Sequence, residues 1–468
     1  MHTPSFSPAK SLLFCLLLAP SLVPALASAD TLSEIYQQAL QNDHQYKAAQ
    51  ASLEAGREAP ILGRSQLLPQ IAADADLAKS DTSVTDNMEP VPPRLKNSGN
   101  VNGTTKSLGI SLRQPLFNLA LWNNYKRSQS LGNLAEEQFK SAEQSLIIRT
   151  AKAYFEALKA VDNYNTAKAE EAALARQLEQ TKQRFQVGLI AITEVHEAQA
   201  AYDSAKANLL INQGQVGIAA EALEVLTGNG YQGLSPLQPK FPVQNPIPEP
   251  RQDWVDFALS NNSKLKIAAL QADAARFNAK SKQADHLPTV TGSLGRSQTW
   301  QTGDSTLPTS ASDTDTESAN TRIAINVHIP LFAGGYTTAS SRQAKQEQYA
   351  SEETKQQAQR DIVQATRSLH LGVVTGVASV KARQQSIISS QSALDATRAG
   401  YEVGTRDLVE LLNAQQRVFL AQRNYSDALY TYVLNTLQLK EAAGLLNKAD
   451  VDAVDSWLDK SKTVKFAL

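Results

Sequence analysis

Residues 400–415 read GYEVGTRDLVELLNAQ, and residues 183–199 have already read QRFQVGLIAITEVHEAQ. The two passages align without a gap: Val187 with Val403, Gly188 with Gly404, Glu194 with Glu410, and Ala198 and Gln199 with Ala414 and Gln415. One pair changes character, apolar Ile190 standing against cationic Arg406. A chain that says one thing twice is a duplicated unit, so its fold is that of one half repeated.

The repetition reaches well beyond these passages. SEIYQQALQN at 33–42 has a counterpart at 252–261, with Ala39 over Ala258, Leu40 over Leu259 and Asn42 over Asn261; further on, Arg57 falls over Arg276. LLPQI from Leu67 matches HLPTV from His286, and QPLFN from Gln114 matches IPLFA from Ile329. Each half is expected to run helix, strand, strand, long helix, turn, long helix. The expected divisions are a first repeat over 30–233 with its tip at 187–194, a linker over 234–250, a second repeat over 251–447 with its tip at 401–413, and a C-terminal segment over 448–468. The linker, LSPLQPKFPVQNPIPEP, carries too much proline for a helix or a strand.

Proline placement also marks the helices. None occurs between Pro115 and Pro236 or after Pro330, and both stretches are rich in Ala, Gln, Glu, Lys, Leu and Arg. From Leu119 to Val187 nothing interrupts a helix, which at roughly 1.5 Å per residue is about 100 Å of rod. Apolar and small residues recur at helical spacing, among them Leu146, Ala153, Ala157 and Ala160 in the first half and Leu369, Val373, Val377 and Val380 in the second. That is the pattern of helix packed on helix, with alanine allowing close approach. Only neighbouring rods can bury such a rod, so an extended bundle is expected.

The strands show a period of two. In TRIAINVHIP from Thr321, Ile323, Ile325, Val327 and Ile329 face one way while Arg322, Ala324, Asn326 and His328 face the other. SLGISLRQP sets Leu108, Ile110 and Leu112 against Ser107, Gly109, Ser111 and Arg113. Fainter alternation runs through Ile71, Ala73, Ala75 and Leu77, and through Val290 and Leu294. Periodicity of this kind also fits two soluble hairpins packed on helices; the connectors favour a membrane barrel. Each hairpin is closed by a long polar loop, over 81–105 and 302–320, and outer-membrane barrels pair long external loops with strands of roughly 10 residues. Four strands cannot close on themselves, since the smallest such barrels have about eight. Several copies must therefore share one barrel, and two or three copies both satisfy this reading.

Bulk properties narrow the class further. Residues 1–29 read as an export signal, with Lys10, an apolar run and an Ala27-Ser-Ala29 exit; Cys15 falls inside it, leaving no cysteine for disulfides or metal. Net charge is -1 with 19% charged residues, which gives nucleic acid no basic surface. Mean hydropathy is -0.32, and no later stretch approaches 18 uninterrupted apolar residues, so no transmembrane helix is expected.

RFQVGLIAITEV, GYEVGTRDLVELLNAQ, the two LP strand starts and the PLF strand ends together resemble the TolC family of outer-membrane channels of Gram-negative bacteria, over nearly the whole mature chain. The resemblance implies an α+β membrane protein of defined architecture. It would be a homotrimer whose twelve-stranded barrel, four strands per chain, lies in outer-membrane lipid and continues as a twelve-helix periplasmic tunnel closed at its tip. A periplasmic adaptor and an inner-membrane pump would dock there, on turns carried by Val187, Gly188, Leu189, Val403, Gly404 and Thr405. Carried over by motif position, Arg406 would pair with Glu194 across the subunit boundary and bond to Gln177, with Tyr401 adding a contact; together they would form a latch on the closed entrance. Family members carry two acidic residues in the constriction; here Glu410 keeps the first, and Asn413 departs from the second.

No cofactor and no catalysis are expected. His196-Glu197 lacks the second histidine of a zinc-protease helix, no GxSxG or phosphate loop occurs, and DTDTE from Asp313 is a solvated loop run. The remaining rival is a non-channel periplasmic coiled-coil adaptor or structural protein.

Overall fold

The computed structural model describes residues 30–85, 98–308 and 312–466. The expected export signal, with Cys15, and parts of both polar loops lie outside them.

The chain opens with three short helices, α1 (Leu32–Asn42), α2 (His44–Arg57) and α3 (Ala59–Ser65), then two strands, β1 (Gln70–Val84) and β2 (Gly99–Phe117). The helical hairpin α4 (Leu119–Gln186) and α5 (Ile192–Thr227) follows, with a two-residue strand β3 (Gly233–Leu234). The second half repeats the order: α6 (Arg251–Asn261), α7 (Ser263–Ala284), β4 (Thr289–Ser305), β5 (Ser312–His328), α8 (Tyr336–Glu402) and α9 (Leu408–Ala442). Helix α10 (Lys448–Asp455) and strand β6 (Val464–Lys465) close the chain.

In place of the single leading helix expected in each half stand three helices in the first half and two in the second, and the break that both halves share has a local cause. Asp43 and Asn262 sit in extended conformation and cap the following helix, their side chains accepting from the Tyr46 and Leu265 amides at 2.6 and 3.1 Å. The strands are longer than the roughly 10 residues expected, at 15, 19, 17 and 17. Their outer ends are polar on both faces, so they read as loop in the sequence while pairing as strand.

All four long strands form one antiparallel sheet in the order β1-β2-β4-β5, which joins the halves through β2 and β4. The register puts every apolar row on one face: Ile71 lies opposite Leu112, Leu112 opposite Leu294, and Leu294 opposite Ile323. Ser111, Asn326 and His328 belong to the other face. The apolar face is uncovered, with Ile71, Leu77, Ile110, Ile323 and Ile325 all exposed. Among the described residues the edge strands β1 and β5 have no further partner strand.

Below the sheet, α4 and α8 run 68 and 67 residues. Helices α2 and α3 pack along the half of α4 nearer the sheet, and α5 along the distal half. Close approach needs glycine there: a Cβ on Gly56 would lie 2.2 Å from the Ala135 Cβ, and one on Gly132 would lie 2.7 Å from Pro60. A core at mid-height collects Ile35, Tyr154, Phe155, Trp254, Val373 and Leu439. Beside it the half-buried Arg149 donates twice to Asp43, at 2.8 and 2.9 Å. The proline-rich linker is packed, not free: Phe241 stacks edge-on against Tyr432 and Trp457, and the Tyr432 hydroxyl donates to the Gln244 carbonyl at 2.8 Å.

Candidate functional site

Both helical hairpins turn at the end farthest from the sheet, and glycine makes each turn. Gly188 and Gly404 hold φ of 77° and 78°, the left-handed region that stops a helix with least strain. The Leu189 amide donates to the Arg184 carbonyl at 2.9 Å, and the Thr405 amide to the Gly400 carbonyl at 2.8 Å. Val187, Leu189 and Val403 stand outward, 70% exposed or more.

The two tips then differ. Asp407 caps α9, accepting from the Glu410 amide at 2.7 Å, whereas Ala191 offers α5 no side-chain cap. Arg406 folds back along α9, its Nη1 3.0 Å from Glu410 Oε1, with both side chains about half exposed. Its stem crosses Gly400, where a Cβ would lie 2.7 Å from the Arg406 Cγ. Tyr401 belongs to the second hairpin but is held by the first. The Arg184 guanidinium sits 5.0 Å from its ring centroid, and its hydroxyl reaches Glu194 Oε2 at 3.5 Å.

Of the residues expected at the latch, the chain by itself brings Tyr401 to Glu194. Arg406 is engaged by Glu410, and Gln177 is buried on α4, where its amide faces Thr181 at 3.5 Å. Asn413 is exposed, its carbonyl accepting from Arg417 at 3.3 Å. Glu410 Oε2 is buried without a partner. So is Gln415 Oε1, beside a groove of about 690 Å³ lined by Arg176, Arg184, Arg398 and Tyr401. Just above the turns, Leu178, Ala198, Leu394, Leu408 and Leu411 make a small apolar cluster of their own, separate from the main core. Sequence reasoning missed Gly400 and Arg184. They are aligned counterparts in the repeat, the one making room for Arg406 and the other covering Tyr401.

The profile of the family described as outer membrane efflux protein matches residues 35–229 and 254–445, nearly the whole of both halves. The chain belongs to the outer membrane efflux protein family. Outer membrane protein TolC of Vibrio cholerae is 35% identical over 436 residues, covering 93% of this chain and 95% of that one. The alkaline protease secretion protein AprF of Pseudomonas aeruginosa is 29% identical, with 90% and 85% covered. Among solved structures, the CmeC outer-membrane channel of Campylobacter jejuni superposes with a TM-score of 0.72 at 18% identity, covering 98% of this chain and 99% of that one. As an outer membrane efflux protein, the chain lies in the outer membrane and serves as an exit duct for efflux or secretion. The family consists of channel proteins that work within tripartite efflux and secretion systems. Among the described residues no helix is long and apolar enough to cross a membrane.

Proposed function

We propose that three copies of this chain close one twelve-stranded barrel in outer-membrane lipid and extend it as a twelve-helix tunnel into the periplasm. Each copy would contribute two repeats, 30–233 and 251–447, joined by 234–250 and followed by 448–468. The observation that carries this reading is the open sheet. Among the described residues nothing covers its apolar face from β1 to β5, and both edges carry backbone groups unpaired with any further strand. In lipid an unpaired edge costs several kcal/mol per group, so only closure by further strands makes the sheet tolerable. Three copies rather than two follow the family resemblance.

At the tip, Arg406 of one copy would reach Glu194 and Gln177 of its neighbour while Tyr401 holds Glu194 of its own, latching the entrance shut. Exposed contacts of this kind are worth about 0.2–1 kcal/mol each, few enough for a docking partner to release. A periplasmic adaptor would seat on the outward residues Val187, Leu189 and Val403 and on the turns at Gly188, Gly404 and Thr405, with an inner-membrane pump beyond it. Three Glu410 carboxylates would ring the constriction and favour cations over anions; Asn413 supplies no second ring. Transport through such a duct is passive and needs no catalysis by this chain. Reconstitution into planar lipid bilayers tests this: discrete conductance steps without nucleotide support a pore, and protein that remains water-soluble and never inserts contradicts it.

A further inference from the structure

Among the described residues strands β1 and β5 end the sheet, each with one neighbour only. We infer that they lock between copies in one register, β5 of one copy antiparallel to β1 of the next, with Val327 opposite Ala75 and Ile325 opposite Leu77. This rests on the shared-barrel reading above and adds to it where along the edges the copies meet.

The first support is the duplication. In the chain's own junction between halves, β2 pairs with β4, and Leu112 lies opposite Leu294 while Ile110 lies opposite Arg296. QPLFN over IPLFA places Leu112 on Val327 and Ile110 on Ile325. LLPQI over HLPTV places Leu294 on Ala75 and Arg296 on Leu77. A junction between copies is the same junction written in the other half, so the pairs carry over directly.

The second support is independent and comes from the apolar band. On the apolar face the run leading out from the helical end stops at Leu77 in β1, Leu108 in β2, Leu294 in β4 and Ile323 in β5, where Lys79, Lys106, Arg296 and Thr321 follow, with Trp300 standing apart further out on β4. Leu77 pairs with Lys106, so the limit drops two residues on passing to β2. Leu108 pairs with Gln298, so it drops four more on passing to β4. Leu294 pairs with Ile323, so it stays level on passing to β5. Six residues over three steps average two per strand. A fourth step of that average size sets the next Leu77 two residues below Ile323, opposite Ile325. That is the register the duplication gives.

A slip of one residue would set Val327 against Asp74 or Asp76, putting an apolar side chain and a carboxylate on one face. Two residues per strand, at about 3.3 Å rise and 4.8 Å spacing, is a tilt of about 54°. Twelve strands at that tilt enclose a backbone circle about 31 Å across, against about 24 Å at a tilt of 40°.

The test is disulfide capture in the full-length chain, whose one cysteine lies in the expected export signal. Val327→Cys with Ala75→Cys, and separately Ile325→Cys with Leu77→Cys, place cysteines at opposed Cα distances of about 4.5–5.5 Å, within disulfide reach. Both pairs are expected to give covalently linked copies on non-reducing gels. Their yield should be about tenfold above Val327→Cys with Ala73→Cys or with Leu77→Cys, whose Cα atoms lie near 7–8 Å. Preferential linking of either slipped pair in protein that still assembles overturns the register and leaves the shared barrel standing. If the uncrosslinked wild type proves to be a single copy in detergent, the barrel reading falls and the register with it.

Discussion

Arg406 lies across Gly400 so closely that a Cβ on the glycine would stand 2.7 Å from the arginine Cγ. Gly400 is inside α8, where alanine would ordinarily stabilise by about 0.5–1 kcal/mol. Here Gly400→Ala is expected to push Arg406 off its seat and loosen the pair with Glu410, a contact of about 0.2–0.5 kcal/mol at this helical spacing. The measurement is single-channel conductance beside thermal stability. A wider tip in protein of unchanged or higher melting temperature is expected; wild-type conductance would mean that the arginine's resting place does not matter.

Removing the latch directly goes further. Arg406→Ser with Tyr401→Phe deletes the charge and the hydroxyl at once, each worth about 0.2–1 kcal/mol when exposed. Conductance in planar bilayers should rise above that of either single variant. If the double variant conducts as the parent does, these residues do not hold the entrance.

At mid-height, Arg149 beside Asp43 holds that carboxyl below the usual carboxylate range, with the Tyr46 amide helping and burial opposing. A depressed native pKa contributes stability that is complete above the unfolded value of about 3.9 and is lost as pH falls through the native one. Asp43→Asn keeps the cap on α2, because asparagine caps as well as aspartate. It leaves Arg149 half-buried and unpaired, an expected cost of about 2–4 kcal/mol at neutral pH. The gap between parent and variant should close in acid, below pH 4; a gap that persists there would mean that the ion pair is not its source.

Asp162 shows the opposite sign. Burial raises its pKa, although Tyr430 donates to it at 2.7 Å and Ser426 also bonds to it. A raised carboxyl is most compatible with the fold when protonated, so its contribution worsens as pH climbs from about 3.9 through the native pKa. Asp162→Asn retains an acceptor for Tyr430. Melting temperature measured across that window should fall less steeply with rising pH in the variant, and identical slopes would refute the assignment.

The faces of the sheet make a further contrast. Ile325→Lys puts a charge on the apolar face, where about 2–4 kcal/mol is lost near the bilayer midplane. Asn326→Lys, one residue on, points the other way. The first is expected to abolish the heat-resistant oligomer seen on mildly denaturing gels. The second should assemble and shift ion preference toward anions. Equal assembly of both would show that this face does not meet lipid.

Most of this architecture is legible in the residues. The alternation from Ile323 to Ile329 and the repeated Val-Gly turns fix the strand faces and the tips, because they follow from local period and a glycine's freedom. What escaped depends on partners distant in sequence. Val84 and Ser305 end strands whose outer parts look like loop, since water on both faces leaves no alternation to read. The break at Asn42 and Asn261 is set by a single cap in each half. The docking of the linker through Phe241 needs Tyr432 and Trp457, which lie far along the chain. At the tip, Glu194 is expected as the partner of Arg406 from a neighbouring copy and Tyr401 only as a further contact; the reach of Tyr401 to Glu194 and the seat that Gly400 provides for Arg406 appear only once the side chains are placed.

On the shared-barrel reading one copy of the chain is incomplete. The mass of the detergent-extracted protein, corrected for bound detergent, counts the copies in the assembled duct. The account predicts three. A single chain stable in detergent, with β1 and β5 unpaired, would contradict it.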